Sequence, residues 1–257
     1  MAELNGKPVD PDALQALALT NYGHFTSMRV EQGRVRGLSL HLDRLVRDCR
    51  AVFDTDLDPG RVLEFVRKTA PGTGPCVVRV TVFDPALDLG RIGADAHPHV
   101  LVTTRSAGSL PLPPLRVRSA VYTREVPEVK SVGLFGLLRH RRAAQRAGFD
   151  DALFVDGRSM ISEGGTWNIG FVQGEQVVWP DAECLAGTTM RLLQQVHTSV
   201  SVPVGLADVT GFDAAFATNA AIGVRAISCL NDIPLPQAHP LIEELRKEYA
   251  EVPGDSL

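Results

Sequence analysis

Apolar residues recur along the chain in two rhythms. Short apolar runs or alternation predict strands at CVVRVTVF (76–83), HVLVTT (99–104), LRVRSAVY (115–122) and DALFVD (151–156). FVQGEQVVW, AAFATNAA and VRAISC read as further strands, and FTSMRVEQGRVRGLSL (25–40) reads as a hairpin about a Gln-Gly turn. Helical spacing of Leu42, Leu45, Val46, Cys49 and Phe53 predicts an amphipathic helix over 41–53, with Ser39 as its start. Other helices are expected over 59–69, 131–147, from 187 to about 200, and over the tail LIEELRKEYAEV. Strands and helices mixed in this way predict an α/β fold of the mixed α+β kind. The stretch GSLPLPPL, beginning at Gly108, cannot continue a helix or sit in a central strand. It divides the chain into a small α/β domain at 1–107, a linker at 108–114 and a larger domain at 115–257.

Composition narrows the class. The 257 residues are 44% hydrophobic and 22% charged, as in an ordinary globular protein. A net charge of −4 offers no electrostatic footprint for nucleic acid, so none is expected as a partner. No uncharged apolar run approaches the roughly 18–20 residues of a membrane span, so no membrane partner is expected. Cys49, Cys76, Cys184 and Cys229 are scattered singly, with no CxxC pair. They read as small buried hydrophobes in a reducing compartment, with no metal site. The first twenty residues set acids around a short apolar stretch, unlike a signal peptide, and a cytoplasmic protein is expected.

Charge type matters more than net charge. There are 22 arginines but only four lysines, Lys7, Lys68, Lys130 and Lys247. Lysine can act as an amine nucleophile and arginine effectively cannot. Three of the four read as solvated surface charges. Lys130 follows a strand and a proline and precedes a helix with few charges in its first half. An amine there is partly desolvated, which favours nucleophilic or Schiff-base chemistry, although a loop lysine can also snorkel to solvent.

Three other features carry possible chemistry. Gly187-Thr188-Thr189 opens a helix, where free N–H groups, hydroxyls and the dipole suit a phosphate, or where a threonine simply caps. His41 and Arg44, at i and i+3, share a face pointing away from the apolar stripe; they grip an anion or form a solvated face. Glu163, between Ser162 and a Gly-Gly pair, is either a buried acid needing a partner or an acid in an exposed loop. Together these supply what pyridoxal 5′-phosphate demands: a lysine for its aldehyde, an anion site, and a carboxylate opposite its ring nitrogen.

At this point the chain resembles the class IV aminotransferases, the fold type IV pyridoxal-phosphate enzymes, a group that includes branched-chain and D-amino-acid aminotransferases and aminodeoxychorismate lyase. The resemblance runs through FTSMRVEQGRVRGLSLHLDRL, PEVKS, AGFDDALFVDGRSMISEGGTWNIGFV, CLAGTTM and ATNAAIGVRAI, in the family's order. It implies a small N-terminal α/β domain, a larger C-terminal pseudo-barrel, and a homodimer with its site between domains. Lys130 would form the Schiff base and move the proton, Arg44 would bind phosphate, and Glu163 would pair with the pyridine nitrogen. Thr188, Thr189, Asn219 and Ala220 would complete the phosphate cup. Phe25 falls at a pocket aromatic, and Arg91 near a carboxylate-binding arginine that some members present across the dimer. The implied reaction moves an amino group between an amino acid or amine and a 2-oxo acid. The alternative is a lyase that releases pyruvate and 4-aminobenzoate from 4-amino-4-deoxychorismate. Met190 and Ala226 depart from the family's usual arginine and proline, and Ala220 stands where the family often has Thr or Ser.

Overall fold

The computed structural model describes residues 2–71 and 74–257. The chain folds into two compact units that are discontinuous in sequence. Unit 1 takes residues up to Gly108 together with Val129–Gly133 and Pro253–Leu257, and unit 2 takes Ser109–Glu128 and Leu134–Val252. Lys130 therefore belongs to the first unit, although the proline-rich stretch precedes it in the chain.

Unit 1 is built from β1 (Ala2–Leu4), β2 (Lys7–Pro8), α1 (Pro11–Thr20), β3 (His24–Val30), β4 (Arg34–Arg36), α2 (Leu38–Phe53), α3 (Pro59–Thr69), β5 (Cys76–Phe83) and β6 (His99–Ser106). Its sheet has the order β2-β1-β6-β5-β3, with β3 at the edge. Alternate residues sort to opposite faces. Met28, Val30, Val78, Val80, Val82 and Val102 meet Leu45 and Cys49 of α2 in the main core. Phe83 and Leu101 lie on the other face, against Ala13 of α1. Asp10 and Asp58 cap α1 and α3, each followed by a proline at the first helical position.

Two expectations in this unit are corrected. The second strand of the supposed hairpin pairs with the C-terminal strand Gly254–Ser256, and meets the β3 end only through a Glu31–Arg34 bridge. Helix α2 begins at Leu38, with left-handed Gly37 (φ 66°) rather than Ser39 as its N-cap. The Asp255 carboxylate accepts from Leu38 N at 3.1 Å, so the cap arrives from the far end of the chain.

Unit 2 contains β7 (Leu115–Val121), α4 (Phe135–Arg146), β8 (Asp151–Val155), β9 (Ile161–Gly164), β10 (Asn168–Gln173), β11 (Gln176–Pro180), α5 (Thr188–Val196), β12 (Ser199–Val202), β13 (Ala214–Asn219), β14 (Gly223–Leu230), β15 (Ile233–Pro234) and α6 (Pro240–Glu251). The sheet runs β12-β11-β10-β13-β14-β7-β8-β9, with β15 on β14. Strands β9 and β10 are consecutive, joined only by residues 165–167, yet stand five places apart in this order. Five steps in a flat sheet span about 24 Å. Four residues reach at most about 14 Å. The sheet must therefore curl, forming a half-barrel. Its interior is filled by Leu153, Ile161, Trp167, Ile169, Phe171, Ala215, Ala217 and Ile227. The outward Val172, Trp179, Phe216 and Ala226 are covered by Leu193 of α5 and by Ile242 and Leu245 of α6.

Helix α4 starts at Phe135 rather than 131, because residues 129–133 are used elsewhere. Helix α5 ends at Val196, and the residues expected to extend it form β12.

Candidate active site

In unit 1, the segment carrying Lys130 pairs with the outer edge of β3. Phe25 N donates to Lys130 O at 2.9 Å, Val132 N donates to Gly23 O at 2.9 Å, and His24 bridges Ser131. On its other side, Lys130 N donates to Asp48 Oδ2 at 2.9 Å. The main chain of the lysine is thus held through both its N–H and its C=O. Its Nζ stands 5.0 Å from the centroid of the Phe25 ring.

One stripe of polar residues on α2 is buried. His41 is 1% exposed, Arg44 6% and Asp48 0%. His41, Arg44 and Asp48 follow one another at i, i+3 and i+7, so they form one stripe along the helix. Asp48 Oδ1 also accepts from the Arg47 guanidinium, at 2.6 and 3.1 Å. His41 Nδ1 lies 2.7 Å from the Thr26 hydroxyl. Burial, with the Arg44 and Lys130 charges beside it, pushes the His41 imidazole down to about 3.

Arg79 is the arginine that the structure sets on Phe25, its guanidinium carbon 3.6 Å from the ring centroid. In the β3–β5 register Phe25 faces Thr81, so Arg79 is a diagonal neighbour on the same face. Burial lowers the Arg79 pKa from its ordinary value. Arg91 ends an exposed 3₁₀ turn, Leu89–Arg91.

In unit 2, Glu163 lies near the end of β9 at 3% exposure. Arg124 Nε donates to its Oε1 at 2.6 Å. The turn after Glu163 is locked by Asp151, which accepts from Arg141 (2.9 and 2.8 Å), from Trp167 Nε1 (2.9 Å) and from its neighbour Ala152 N (2.8 Å). Gly164 is required here: a Cβ would lie 2.0 Å from the Trp167 ring.

Two asparagines tie this turn to the other expected phosphate elements. Asn168 Nδ2 donates to Leu185 O at 2.8 Å, just ahead of Gly187. Asn219 Nδ2 donates to Thr166 O at 3.1 Å, while its Oδ1 accepts from Ala221 N and Ile222 N at 2.9 and 3.0 Å. Glu163, Thr188, Thr189, Asn219 and Ala220 are thereby gathered on connected turns. The Asn219 amide is spent on organising the turn that carries Ala220. Lys130, Arg44 and Phe25 are gathered in unit 1. Asp48, Arg79, Arg124 and Asp151 are the residues that the sequence reading missed.

The start of α5 suits an anion. Gly187 caps it without a side-chain bond. Among the described residues, the buried Thr188 hydroxyl has no partner, and neither has that of Thr218 at the end of β13. Thr189 Oγ1 lies 3.4 Å from the Tyr249 hydroxyl. Helix N–H groups and an unsatisfied hydroxyl at a helix N-terminus fit a phosphate group.

Comparison with known proteins gives the family. Residues 23–230 match the amino-transferase class IV family model. The chain belongs to that family, and it is an enzyme, a pyridoxal-phosphate aminotransferase of class IV. It is 24% identical to a probable branched-chain-amino-acid aminotransferase of Rickettsia bellii, over 97% of this chain and 94% of the relative. A Rickettsia felis protein of the same description is 26% identical over 53% of this chain, and the chain spans only 51% of that relative. Among solved structures, the pyridoxal-phosphate-bound form of a hypothetical aminotransferase from Mycobacterium tuberculosis superposes with a TM-score of 0.81 at 17% identity, covering 98% of this chain and 98% of that one. The fold is therefore that of the fold type IV aminotransferases. Among the described residues, no helix is long and apolar enough to cross a membrane.

Proposed function

We propose that this enzyme moves an amino group between an amino acid and a 2-oxo acid, with Lys130 as its reactive amine. When bound, pyridoxal phosphate supplies an aldehyde that takes up amines and a ring that accepts electrons from the substrate carbon. The remaining work falls to this chain. Lys130 holds the cofactor through its amine and moves a proton at the substrate Cα. Glu163 holds the proton on the ring nitrogen. Arg44, Thr188, Thr189 and the Asn219–Ala220 turn bind the phosphate, and Phe25 walls the substrate pocket.

Arg79 adds a preference for substrates that bear a carboxylate. It is a half-buried cation with no carboxylate partner among the described residues, and it stacks on the ring that Lys130 also approaches. The single observation that carries the reading is the mounting of Lys130, whose main chain is bonded to both Asp48 and Phe25. A homodimer is supported by apolar surface on α4, where Phe135 is 77% and Leu138 49% exposed. A cytoplasmic setting is supported by four free cysteines.

The purified protein should be yellow, and borohydride should fix the colour to a peptide containing Lys130. A colourless protein that takes up no pyridoxal phosphate overturns the reading. K130A should abolish turnover. Pyruvate release from aminodeoxychorismate with no 2-oxo acid present would instead identify a lyase built from the same residues.

A further inference from the structure

Glu163 is itself held. Arg124, three residues past the end of β7, donates Nε to Glu163 Oε1 at 2.6 Å, and the two side chains are only 8% and 5% exposed. Strand β8 lies between β7 and β9, so the pair bridges across it. Burial chiefly, with the Glu163 charge adding and the Arg124 charge opposing, raises the nearby Cys184 thiol to about 11.

A buried ion pair adds little net stability over a well-packed apolar pair, so stability alone does not account for this one. A guanidinium N–H bonded to one carboxylate oxygen does something an apolar neighbour cannot: it fixes where that oxygen sits and so limits the directions open to the second. A carboxylate has about four acceptor sites, so one such group can bond a guanidinium and other donors together.

Resting on the reading that Glu163 meets the ring nitrogen, we propose that Arg124 is a positioning residue, which anchors Oε1 so that Glu163 is aimed at that nitrogen. Arg124 then sets how strongly the protein distinguishes a nitrogen from a carbon at that place in the ring. A merely structural arginine would change overall stability and leave that discrimination alone.

The test is a binding measurement on the full chain freed of cofactor. It is titrated with pyridoxal phosphate and with the analogue whose ring nitrogen is replaced by C–H. The wild type should prefer the natural cofactor. R124Q should lose about tenfold or more of this preference, the scale of a hydrogen bond to a charged group, while keeping its affinity for the carbon analogue. R124Q with the wild-type preference overturns the proposal. If R124Q does not fold, R124K takes its place: it keeps the cation but lacks the Nε donor, and full retention of the preference in R124K is equally fatal. A wild type without preference, or E163Q that keeps it, overturns the reading of Glu163, and this inference with it.

Discussion

The backbone N–H of Lys130 donates to the carboxylate of Asp48, a side chain with no exposure to solvent. One oxygen of Asp48 serves the lysine segment and the other serves Arg47 on its own helix. D48A takes the acceptor from a part-buried N–H, which costs up to about 1–3 kcal/mol. D48N keeps an acceptor for that N–H and should lose less. Urea denaturation of the two variants checks the order, and D48A as stable as wild type would remove Asp48 from this role.

The hydroxyl of Thr188 has no partner among the described residues, so T188V should leave the cofactor-free protein as stable as wild type, or slightly more so. Its affinity for pyridoxal phosphate should fall by about tenfold, the scale of a hydrogen bond to a charged group. Its affinity for pyridoxal, which lacks the phosphate, should not change. Equal weakening toward both ligands would show that Thr188 does not meet the phosphate.

Two buried histidines predict acid sensitivity. Burial, and secondarily Arg47, pushes His24 down to about 3, and His41 lies at about the same value. In the unfolded chain both return to 6.5. The unfolded state therefore takes up protons that the folded state refuses, and stability falls as pH drops from 6.5 toward 3. The slope is on the order of 1.4 kcal/mol per pH unit for each histidine inside that window. Denaturation midpoints between about pH 7 and pH 4 measure it, and H41Q should remove roughly half of it. A flat profile would contradict the burial of both rings.

The lock on the Glu163 turn should fail in a set order. W167F removes one donor from Asp151 and costs about 1–2 kcal/mol. R141A withdraws the cation from a buried carboxylate and costs more, about 3–5 kcal/mol. Both should weaken cofactor binding, since the turn that bears Glu163 loosens. Thermal melts and cofactor titrations together test this, and R141A milder than W167F would refute the ranking.

Much of the architecture is legible in the pattern of residues, because apolar spacing reports which face an element buries. The stripe Leu42, Leu45 and Cys49 marks α2, and the motif order places Lys130, Glu163 and Gly187. The rest depends on pairing, which spacing does not encode. His41, Arg44 and Asp48 look like a solvated face until tertiary packing covers them. Arg79 meets Phe25 only through the register of β3 on β5. The helix expected at 131 begins later because Ser131 and Val132 are recruited to a strand edge. Nothing in DDALFVD announces that Asp151 gathers Arg141 and Trp167.

Strand β3 is the last in its sheet, and an open edge of this kind is a template on which other chains can pair and aggregate. Residues 129–133 occupy part of that edge, so the segment that carries Lys130, the amine proposed to react, is also a guard against edge-to-edge aggregation. The guard works through main-chain groups and is indifferent to the lysine side chain. Chemistry at position 130 can be lost without exposing the edge. A change that dislodges the segment loses both at once, so the two defects, inactivity and aggregation, separate side-chain damage from main-chain damage at this one place.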